Sequence, residues 1–451
     1  MKQKSGFTSR LGFVLAAAGS AVGLGNIWRF PYLAARYGGG SFLLIYLILA
    51  VTFGFALMIT EITIGRKTGK SALYAFSSLN KKGKFIGVLA SIVPIIILPY
   101  YCVIGGWVIK FAWVYLTGDY VNAVNDDYFG GFISQPVEPI VWLILFIVLT
   151  MAVILLGVNK GIENVSKILM PLLVLMSVFI AGFVITKPGA MAGLEYYLKP
   201  DLSKINANAI LAAMGQLFYS MSLAMGIMIT YGSYSGKKDN IETSTRNIEI
   251  FDTGIAFLSG LIIVPAVFVF SGGNADAMNQ GPTLMFVTLP KVFNSMKGGH
   301  IVGALFFVLV LFAALTSAIS LMETVVSIFV NKFNQSRKIT TILVTIYTLI
   351  FAIPSSLGFG IWSGFTIFKL SILDFLDFLS NSVLMPIVAL LTCIFVGYII
   401  KPKTIIDEIL VSSDQFKSQK LYVWIIKYFA PVLIVLILIS SILNTFGIIK
   451  L

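Results

Sequence analysis

Two hydrophobic segments of the chain are interrupted by glycine and polar residues. Residues 19–26 (GSAVGLGN) break the first segment, residues 220–226 (SMSLAMG) break a later one, and each break lies near the start of one half of the chain. A membrane helix satisfies its own backbone, so bare amides and carbonyls at bilayer depth are tolerated only where they line a cavity or hold a ligand. Matching breaks in two halves indicate the substrate and ion site of a secondary transporter.

The first break offers groups that could bind a cation and an anion side by side. Exposed carbonyls and the Asn26 side chain are hard oxygen ligands that suit an alkali cation. The amides of Leu24 and Gly25, at the start of the next half-helix, suit a carboxylate. Glycines alone would equally serve close helix packing. Asn26 and Arg29 within one span favour a site, because polar residues inside a membrane are functional candidates by default.

Composition excludes most other classes of protein. Of 451 residues, 58% are hydrophobic and 11% charged, and the mean hydropathy is +0.95, which indicates a polytopic membrane protein. Two cysteines and one histidine are too few for a disulfide framework or a zinc cluster. No paired carboxylates, HExxH motif or nucleophile–base pair supports catalysis, so we expect no enzyme. The net charge of +13 is scattered through loops, which argues against nucleic-acid binding.

About eleven apolar segments are long enough to cross a bilayer, so the two termini should face opposite sides. Most of the 32 lysine and arginine residues lie at the N-terminus and in alternate loops, which predicts a cytoplasmic N-terminus, an extracellular C-terminus and a multi-pass protein of the plasma membrane. The first segment continues into Asn26, Arg29 and Pro31, which are poor flanks for signal cleavage. The segments span residues 11–35, 41–65, 86–117, 140–158, 165–186, 208–232, 249–272, 300–330, 339–356, 367–400 and 421–447.

Several motifs together resemble the neurotransmitter:sodium symporter family, whose structural type is the bacterial amino-acid transporter LeuT. They are GLGNIWRFPY at 23–32, GGG at 38–40, EITIGR at 61–66, GQLFYS at 215–220, ITY at 229–231, AALTS at 313–317 and LDFLD at 373–377. The resemblance implies an all-α membrane protein of the LeuT fold with helices 1 and 6 broken. It also implies two inverted five-helix repeats, 8–186 and 207–400, and a peripheral eleventh helix, 421–447.

The resemblance further implies two sodium ions. The first would be held by backbone and side-chain oxygens together with the substrate carboxylate, at Ala21, Asn26, Ser220 and Asp252. The second would be held by carbonyls and hydroxyls at Gly19, Val22, Ala313, Thr316 and Ser317. Taken alone, the hydroxyls of Thr316 and Ser317 would be expected to bond back to their own helix, and the resemblance reverses that preference.

The substrate implied by the resemblance is a hydrophobic L-amino acid. Its carboxylate would meet the Leu24 and Gly25 amides and the Tyr101 hydroxyl, and its ammonium would meet carbonyls near the breaks. No side chain of the implied pocket is charged, so the bound side chain should be apolar. The implied contacts are Ala21, Leu24, Gly25, Ile97, Leu98, Tyr101, Tyr219, Ser220, Ser222, Met225, Ala318, Ile319 and Leu321.

The resemblance also bears on the gates of the transport pathway and on the dependence on chloride. Arg29 and Asp377 match the family's outer gate, whereas Lys4 and Asn331 replace its inner arginine–aspartate pair. Glu61 is predicted to hold amides of the first break. The resemblance also implies chloride independence, because Asp252 stands where chloride-dependent members have asparagine. We therefore expect sodium-coupled amino-acid symport, with a receptor or channel on the same scaffold as the alternative.

Overall fold

The chain folds into α-helices, and no strand occurs among the residues that the structure describes, 6–272 and 281–445 of a computed structural model. Helices α1 to α9 form the first half of the chain: Arg10–Ala21, Gly25–Arg36, Gly40–Thr68, Ala72–Leu79, Lys81–Thr117, Asp126–Ser134, Glu138–Leu155, Val158–Ile185 and Ala190–Leu198. Helices α10 to α18 form the second half: Ala207–Ser220, Ile227–Gly232, Ile241–Ser271, Leu289–Ser295, Gly299–Phe333, Arg337–Leu357, Ile372–Ile399, Lys403–Ile409 and Gln419–Leu443.

Within the described residues, nine helices are long and apolar enough to cross a membrane, and the bent pair α1 and α2 adds a tenth. Helices α10 and α11 are each shorter than a bilayer is thick, and together they occupy the predicted span 208–232. These observations confirm a multi-pass all-α membrane protein with broken first and sixth spans. The repeat boundaries 8–186 and 207–400 and the peripheral position of 421–447 stay predictions, and residues 446–447 lie outside the described part.

The first break is a bend of 55° between α1 and α2. Helix α1 begins at the N-cap Ser9, whose side chain accepts a hydrogen bond from the Gly12 amide, and it ends at Val22, whose backbone is extended. An extended residue cannot continue the hydrogen-bond ladder, so the carbonyls before it and the amides after it are freed. The bend therefore supplies the exposed backbone groups that the sequence predicts.

The second break lies between Ser220, the last residue of α10, and Ile227, the first residue of α11. The backbone is left-handed at alternate positions, with φ of 52° at Ser222, 61° at Ala224 and 74° at Gly226. Only glycine adopts this region without a steric cost, which is about 1–2 kcal/mol for residues with a Cβ. The turn is thus a strained segment held in place by its surroundings.

The two long helices α5 and α14 pack against each other and support the breaks from outside. Helix α14 also contacts α1, and α3 contacts α11, so each half-helix rests on a continuous one. Glycines allow the closest contacts: a Cβ on Gly65 of α3 would lie 2.0 Å from the Ile229 carbonyl, and one on Gly232 would lie 2.3 Å from the Ile62 carbonyl. Continuous helices therefore fix the positions of the broken ones.

Candidate substrate and ion site

A small chamber of about 40 Å³ lies between the two breaks. Nine of the predicted substrate contacts line it: Ala21, Leu24, Gly25, Ile97, Tyr101, Tyr219, Ser222, Met225 and Leu321. The remaining predicted contacts, Leu98, Ser220, Ala318 and Ile319, are buried nearby but do not line it. The prediction missed further lining residues, namely Ser20, Gly23, Tyr100, Ile227, Ser317 and Asn381.

The groups predicted for the first cation form one buried cluster. Asn26 Nδ2 donates to Asp252 Oδ1 at 2.7 Å and to Ser220 Oγ at 3.0 Å. Ser220 Oγ also lies 2.9 and 3.0 Å from the two carboxylate oxygens of Asp252. The Tyr46 hydroxyl donates to Ser220 at 3.2 Å and to Asp252 at 3.4 Å. Two broken helices and two continuous ones thus meet at a single carboxylate.

The backbone around Asn26 determines how its amide is turned. Asn26 Oδ1 accepts a hydrogen bond from the Gly23 amide at 3.1 Å, while its amide nitrogen faces the Asp252 carboxylate. A carboxylate is an acceptor, so the amide presents its protons there. A cation between Asn26 and Asp252 would need the amide rotated, so that the oxygen faces the cation.

The groups predicted for the second cation also come together, on α1 and α14. Ser317 Oγ donates across the helix interface toward the carbonyls of Gly19 at 3.4 Å and Val22 at 3.2 Å. The Thr316 hydroxyl instead bonds to carbonyls of its own helix, at Phe312 (3.0 Å) and Ala313 (3.1 Å). Ser317 Oγ thus faces carbonyls of the first break, the nearest being that of Ser20 at 3.1 Å, whereas Thr316 adopts the default bonding of a helical threonine.

Two glycines of the first break face aromatic and hydroxyl groups at close range. A Cβ on Gly25 would lie 2.3 Å from the Tyr219 ring, and one on Gly23 would lie 2.8 Å from Ser317 Oγ and 3.4 Å from the Tyr101 hydroxyl. The Tyr101 hydroxyl is buried and has no well-formed hydrogen bond within the described structure. The hydroxyl faces Ser317 and the Leu24 backbone without a bond of good geometry, which makes it a candidate to bind a ligand.

The chamber also contains a hydroxyl pair that bridges the two breaks. Ser222 Oγ donates to the Ser20 carbonyl at 2.9 Å, and the two serine hydroxyls lie 3.2 Å apart. The left-handed backbone at Ser222 turns its side chain toward the first break. The pair gives the chamber a polar wall opposite its apolar residues, and Ser20 was not predicted as part of it.

Glu61 holds the second break, so the prediction that it holds amides of the first break is wrong. Its Oε1 accepts from the Ala224 amide at 2.7 Å, and the carboxyl group is buried. Ala224 has a left-handed backbone in the turn between α10 and α11. Its amide has lost the helical partner, and Glu61 on α3 replaces that partner. The sequence places Glu61 at membrane depth but does not show which break lies beside it.

A vestibule of about 520 Å³ lies above the chamber and contains both predicted outer-gate residues. The Arg29 guanidinium lies over the Tyr219 ring, 5.3 Å from its centroid. Asp377 accepts hydrogen bonds from the Tyr100 hydroxyl at 3.2 Å and from Asn381 Nδ2 at 2.6 Å. No ion pair joins Arg29 to Asp377 in the described part of the chain. The gate residues face one vestibule without direct contact.

The segment before α1 packs against α1, α8 and the end of α11. Phe7 packs against Phe13 and Tyr231, with ring centroids 5.6 Å apart in each pair, and its amide bonds to the Tyr234 carbonyl. Thr8 donates to Glu163 of α8 through both its amide (2.8 Å) and its hydroxyl (2.6 Å). The segment is thereby tied to both α8 and the end of α11.

The positions of the family's inner pair carry Lys4 and Asn331, and the hydrogen bond of Asn331 lies elsewhere. Asn331 donates to the Ser327 carbonyl of its own helix at 2.7 Å, and Lys4 lies outside the described residues. A separate cluster, missed by the sequence analysis, lies beside Phe7. Glu323 on α14 accepts from the Tyr234 hydroxyl at 2.7 Å and from Arg337 Nη1 at 2.8 Å. Its carboxyl is fully buried, which makes this ion pair a structural element rather than a surface contact.

Comparisons with known proteins agree with this architecture. The sequence model of the Sodium:neurotransmitter symporter family matches residues 4–125 and 132–448. An uncharacterized sodium-dependent transporter from Haemophilus influenzae is 34% identical over 98% of each chain. The uncharacterized sodium-dependent transporter YhdH from Bacillus subtilis is 34% identical over 97% of each chain. The crystal structure of MhsT in complex with L-phenylalanine superposes with a TM-score of 0.87 at 38% identity, covering 97% of this chain and all of that one.

The chain therefore belongs to the sodium:neurotransmitter symporter family. It is a sodium-dependent membrane transporter, and the structural similarity confirms the predicted LeuT fold.

We predict that Glu61→Ala destabilises the protein, because the Ala224 amide would be left buried without a partner. The expected loss is about 1–3 kcal/mol. Glu61→Gln keeps an acceptor at the same place and is the matched control. Thermal unfolding of both variants in detergent measures the effect. Equal midpoints for Glu61→Ala and the unmodified protein would show that the turn does not depend on this bond.

Proposed function

We propose that this protein is a symporter that uses the sodium gradient to carry a hydrophobic L-amino acid into the cell by alternating access. The observation that carries the proposal is the meeting of two broken helices at one chamber, which Leu24, Gly25 and Tyr101 line, with the buried Asp252 carboxylate bonded to Ser220 of the second break. Each group suits one part of an amino acid or one cation. The proposed place of action is the plasma membrane, with the N-terminus cytoplasmic and the C-terminus extracellular.

The polar end of the substrate is proposed to bind at the first break. The amides of Leu24 and Gly25 start α2, where the helix dipole favours negative charge, and Tyr101 can donate its unpaired hydroxyl to the same carboxylate. The ammonium group would face carbonyls near Ala21, Tyr219 and Ser220 and the Ser222 hydroxyl. Both charges of an α-amino acid thereby find partners from the two breaks.

The substrate side chain is proposed to be apolar. Ile97, Met225, Ile227 and Leu321 line the chamber, and no lysine, arginine, aspartate or glutamate of the described chain does so. The related transporter MhsT has been crystallised with L-phenylalanine, which supports the same class of ligand here. The chamber of about 40 Å³ is small, so entry of a bulky side chain is proposed to involve movement of the turn at Ala224.

Two sodium ions are proposed to couple to the substrate. The first would lie among Ala21, Asn26, Ser220 and Asp252 beside the substrate carboxylate. The second would lie among the Gly19, Val22 and Ala313 carbonyls and the Thr316 and Ser317 hydroxyls, which the structure brings together on α1 and α14. A sodium ion there would replace the hydrogen bonds between the two hydroxyls and the three carbonyls.

A receptor or a channel could use the same scaffold, and uptake distinguishes them from a symporter. We predict that vesicles containing the protein accumulate labelled leucine or phenylalanine only when sodium is higher outside. Asn26→Ala should abolish this uptake, and Thr316→Val should raise the sodium concentration needed. Losing one ligand of a cation should cost about 1–3 kcal/mol, by analogy with a hydrogen bond to a charged group.

Thr348→Val is the matched control for Thr316→Val. Thr348 is buried and bonds to the carbonyl four residues before it, as Thr316 does, but it lies on α15 away from the breaks. Its variant should keep the normal sodium dependence. An unchanged sodium dependence in both Asn26→Ala and Thr316→Val would contradict the two-site proposal.

We predict a graded preference for aliphatic amino acids: leucine, isoleucine, valine and methionine should compete well, phenylalanine or tyrosine should be accepted, and tryptophan should be disfavoured. The reason is the methyl group of Ala224 in a left-handed turn, which limits how far the turn can move. A hydrophobic pocket discriminates by only about 1–3 kcal/mol per methylene. Competition assays on wild type and Ala224→Gly measure the ranking, and the glycine variant should accept larger rings. Tryptophan as the tightest ligand of the wild type would contradict this account.

Transport is predicted to be independent of chloride. Tyr46, Gln216, Ser220 and Ala256 occupy the positions that hold chloride in chloride-dependent members of the family. Ala256 has no hydroxyl, and Asp252 already supplies a negative charge within 3.0 Å of Ser220. Two like charges about 4 Å apart repel by about 4 kcal/mol at an effective dielectric near 20. The carboxylate should therefore exclude a second anion.

Replacement of chloride by gluconate tests this prediction. Uptake by the wild type should be unchanged, whereas Asp252→Asn combined with Ala256→Ser should transport only when chloride is present. Each single variant is the control for the pair. Loss of wild-type uptake in gluconate would show that Asp252 does not replace the anion.

A further inference from the structure

Only two residues of the described chain line both the outer vestibule and the substrate chamber, namely Tyr219 and Asn381. Tyr219 is an aromatic ring covered on its vestibule side by the Arg29 guanidinium. Asn381 is a polar side chain on α16, four residues after Asp377. These two side chains form the partition that a substrate must pass on its way inward.

The orientation of the Asn381 amide is determined by its neighbours. One terminal atom lies 2.6 Å from Asp377 Oδ1 and 3.1 Å from the Tyr100 hydroxyl. A carboxylate accepts hydrogen bonds and does not donate them, so the atom facing Asp377 is the NH2 group. The amide oxygen of Asn381 must therefore point away from Asp377.

That amide oxygen, Asn381 Oδ1, is buried and has no hydrogen-bond partner within the described structure. A buried acceptor without a donor is unfavourable, and it is rare in stable proteins unless another state or a ligand supplies the donor. Because the atom belongs to the partition, the missing donor is expected from a group that moves when the vestibule opens or closes.

Arg29 is the group that can supply this donor. Its guanidinium carries five N–H donors in a rigid fork, yet in the described structure it lies over the face of Tyr219 rather than against an acceptor. Arg29, Asp377 and Asn381 all line the vestibule. A fork that reaches the Asp377 carboxylate could also reach a neighbouring amide oxygen, because Asn381 is itself bonded to that carboxylate.

We propose that Asn381 is the third member of the outer gate and accepts a hydrogen bond from Arg29 when the vestibule closes. In the closed gate, the Arg29 fork binds the Asp377 carboxylate and Asn381 Oδ1 together. Asn381 thus has two tasks: its NH2 group orients Asp377 in the described state, and its oxygen completes the closed one. The proposal rests on the proposed alternating-access function and identifies a positioning residue for it.

The test measures gate closure without requiring that the substrate be known. Ile97→Cys places one reactive thiol in the chamber, while the native Cys102 and Cys393 are buried. A membrane-impermeant maleimide added from outside must pass the partition to label it. Labelling rates are measured in vesicles without sodium, with sodium, and with sodium plus leucine or phenylalanine.

The Ile97→Cys protein is the reference. In the condition where it is labelled most slowly, adding Asn381→Leu should raise the labelling rate about tenfold. Leucine has a similar shape and removes both polar atoms. Arg29→Gln should raise the rate similarly, and the double variant should be labelled within about threefold of Arg29→Gln alone, because both changes remove one contact. If Asn381→Leu acted only through a general structural effect, its increase in the labelling rate would multiply with that of Arg29→Gln.

Ser382→Ala is the matched control, since Ser382 lines the vestibule but not the chamber. It should be labelled at the reference rate. Monodisperse elution in size-exclusion chromatography establishes that each variant is folded, and Asn381→Ala replaces Asn381→Leu if the latter is not. Reference-rate labelling of the Asn381 variant in every condition would overturn the proposal, as would rates that multiply in the double variant. Failure of the transport proposal would appear separately, as absent sodium-driven uptake by the wild type.

Discussion

The rest of the structure depends on one constraint: inside a bilayer, every backbone amide and carbonyl needs a partner. The simplest solution is an unbroken helix, whose backbone groups bond to one another. Two spans of this protein are broken, and surrounding residues bond to the backbone groups that the breaks leave free. Glu61 binds the Ala224 amide, Ser222 binds the Ser20 carbonyl, and Ser317 reaches the carbonyls of the first break. These contacts hold two interrupted helices face to face. The groups they leave free, above all the Tyr101 hydroxyl, are the ones available to a substrate.

Asp252 contacts both broken helices and supplies a negative charge to the site. Its carboxylate contacts Asn26 from the first broken helix and Ser220 from the second, and it is fully buried. A fixed buried negative charge favours a cation at the same place and disfavours another anion. In the proposed cycle, sodium and the substrate carboxylate share this corner, so each stabilises the other. The same proposal assigns to the outer partition the control of access to this corner from the vestibule.

The sequence was sufficient to predict the fold and much of the chamber. Glycines and polar residues within apolar segments identified both breaks, and the family resemblance implied that Tyr101, Asp252 and Ser317 lie near them. It was insufficient where contacts join residues far apart in sequence. Asn381 is an ordinary helical asparagine until Tyr100 and Asp377 are seen beside it. Glu61 was identified as structural, but its partner was wrong, because nothing local shows which break faces α3.

The contacts of the segment before α1 were harder to predict for the same reason. Lys4 and Asn331 depart from the family's inner pair, so the resemblance left the partners there open; the described contacts are Phe7 against aromatic rings and Glu323 against Tyr234 and Arg337. Phe7 and Glu323 are more than 300 residues apart, and neither has a spacing that signals the contact. Ile227 was missed because it follows the left-handed Gly226, where helical periodicity does not describe side-chain directions, and Ser20 was missed because its partner Ser222 is about 200 residues away in sequence.

The central claim is that sodium and an amino acid bind at shared, adjacent groups of the two breaks. Calorimetric titration of the purified protein with sodium, with and without saturating leucine or phenylalanine, tests it most directly. By linkage, the amino acid should tighten sodium binding by the same factor by which sodium tightens amino-acid binding, as expected for coupling of about 1–3 kcal/mol. Sodium binding that is unchanged by an amino acid that itself binds would contradict the account.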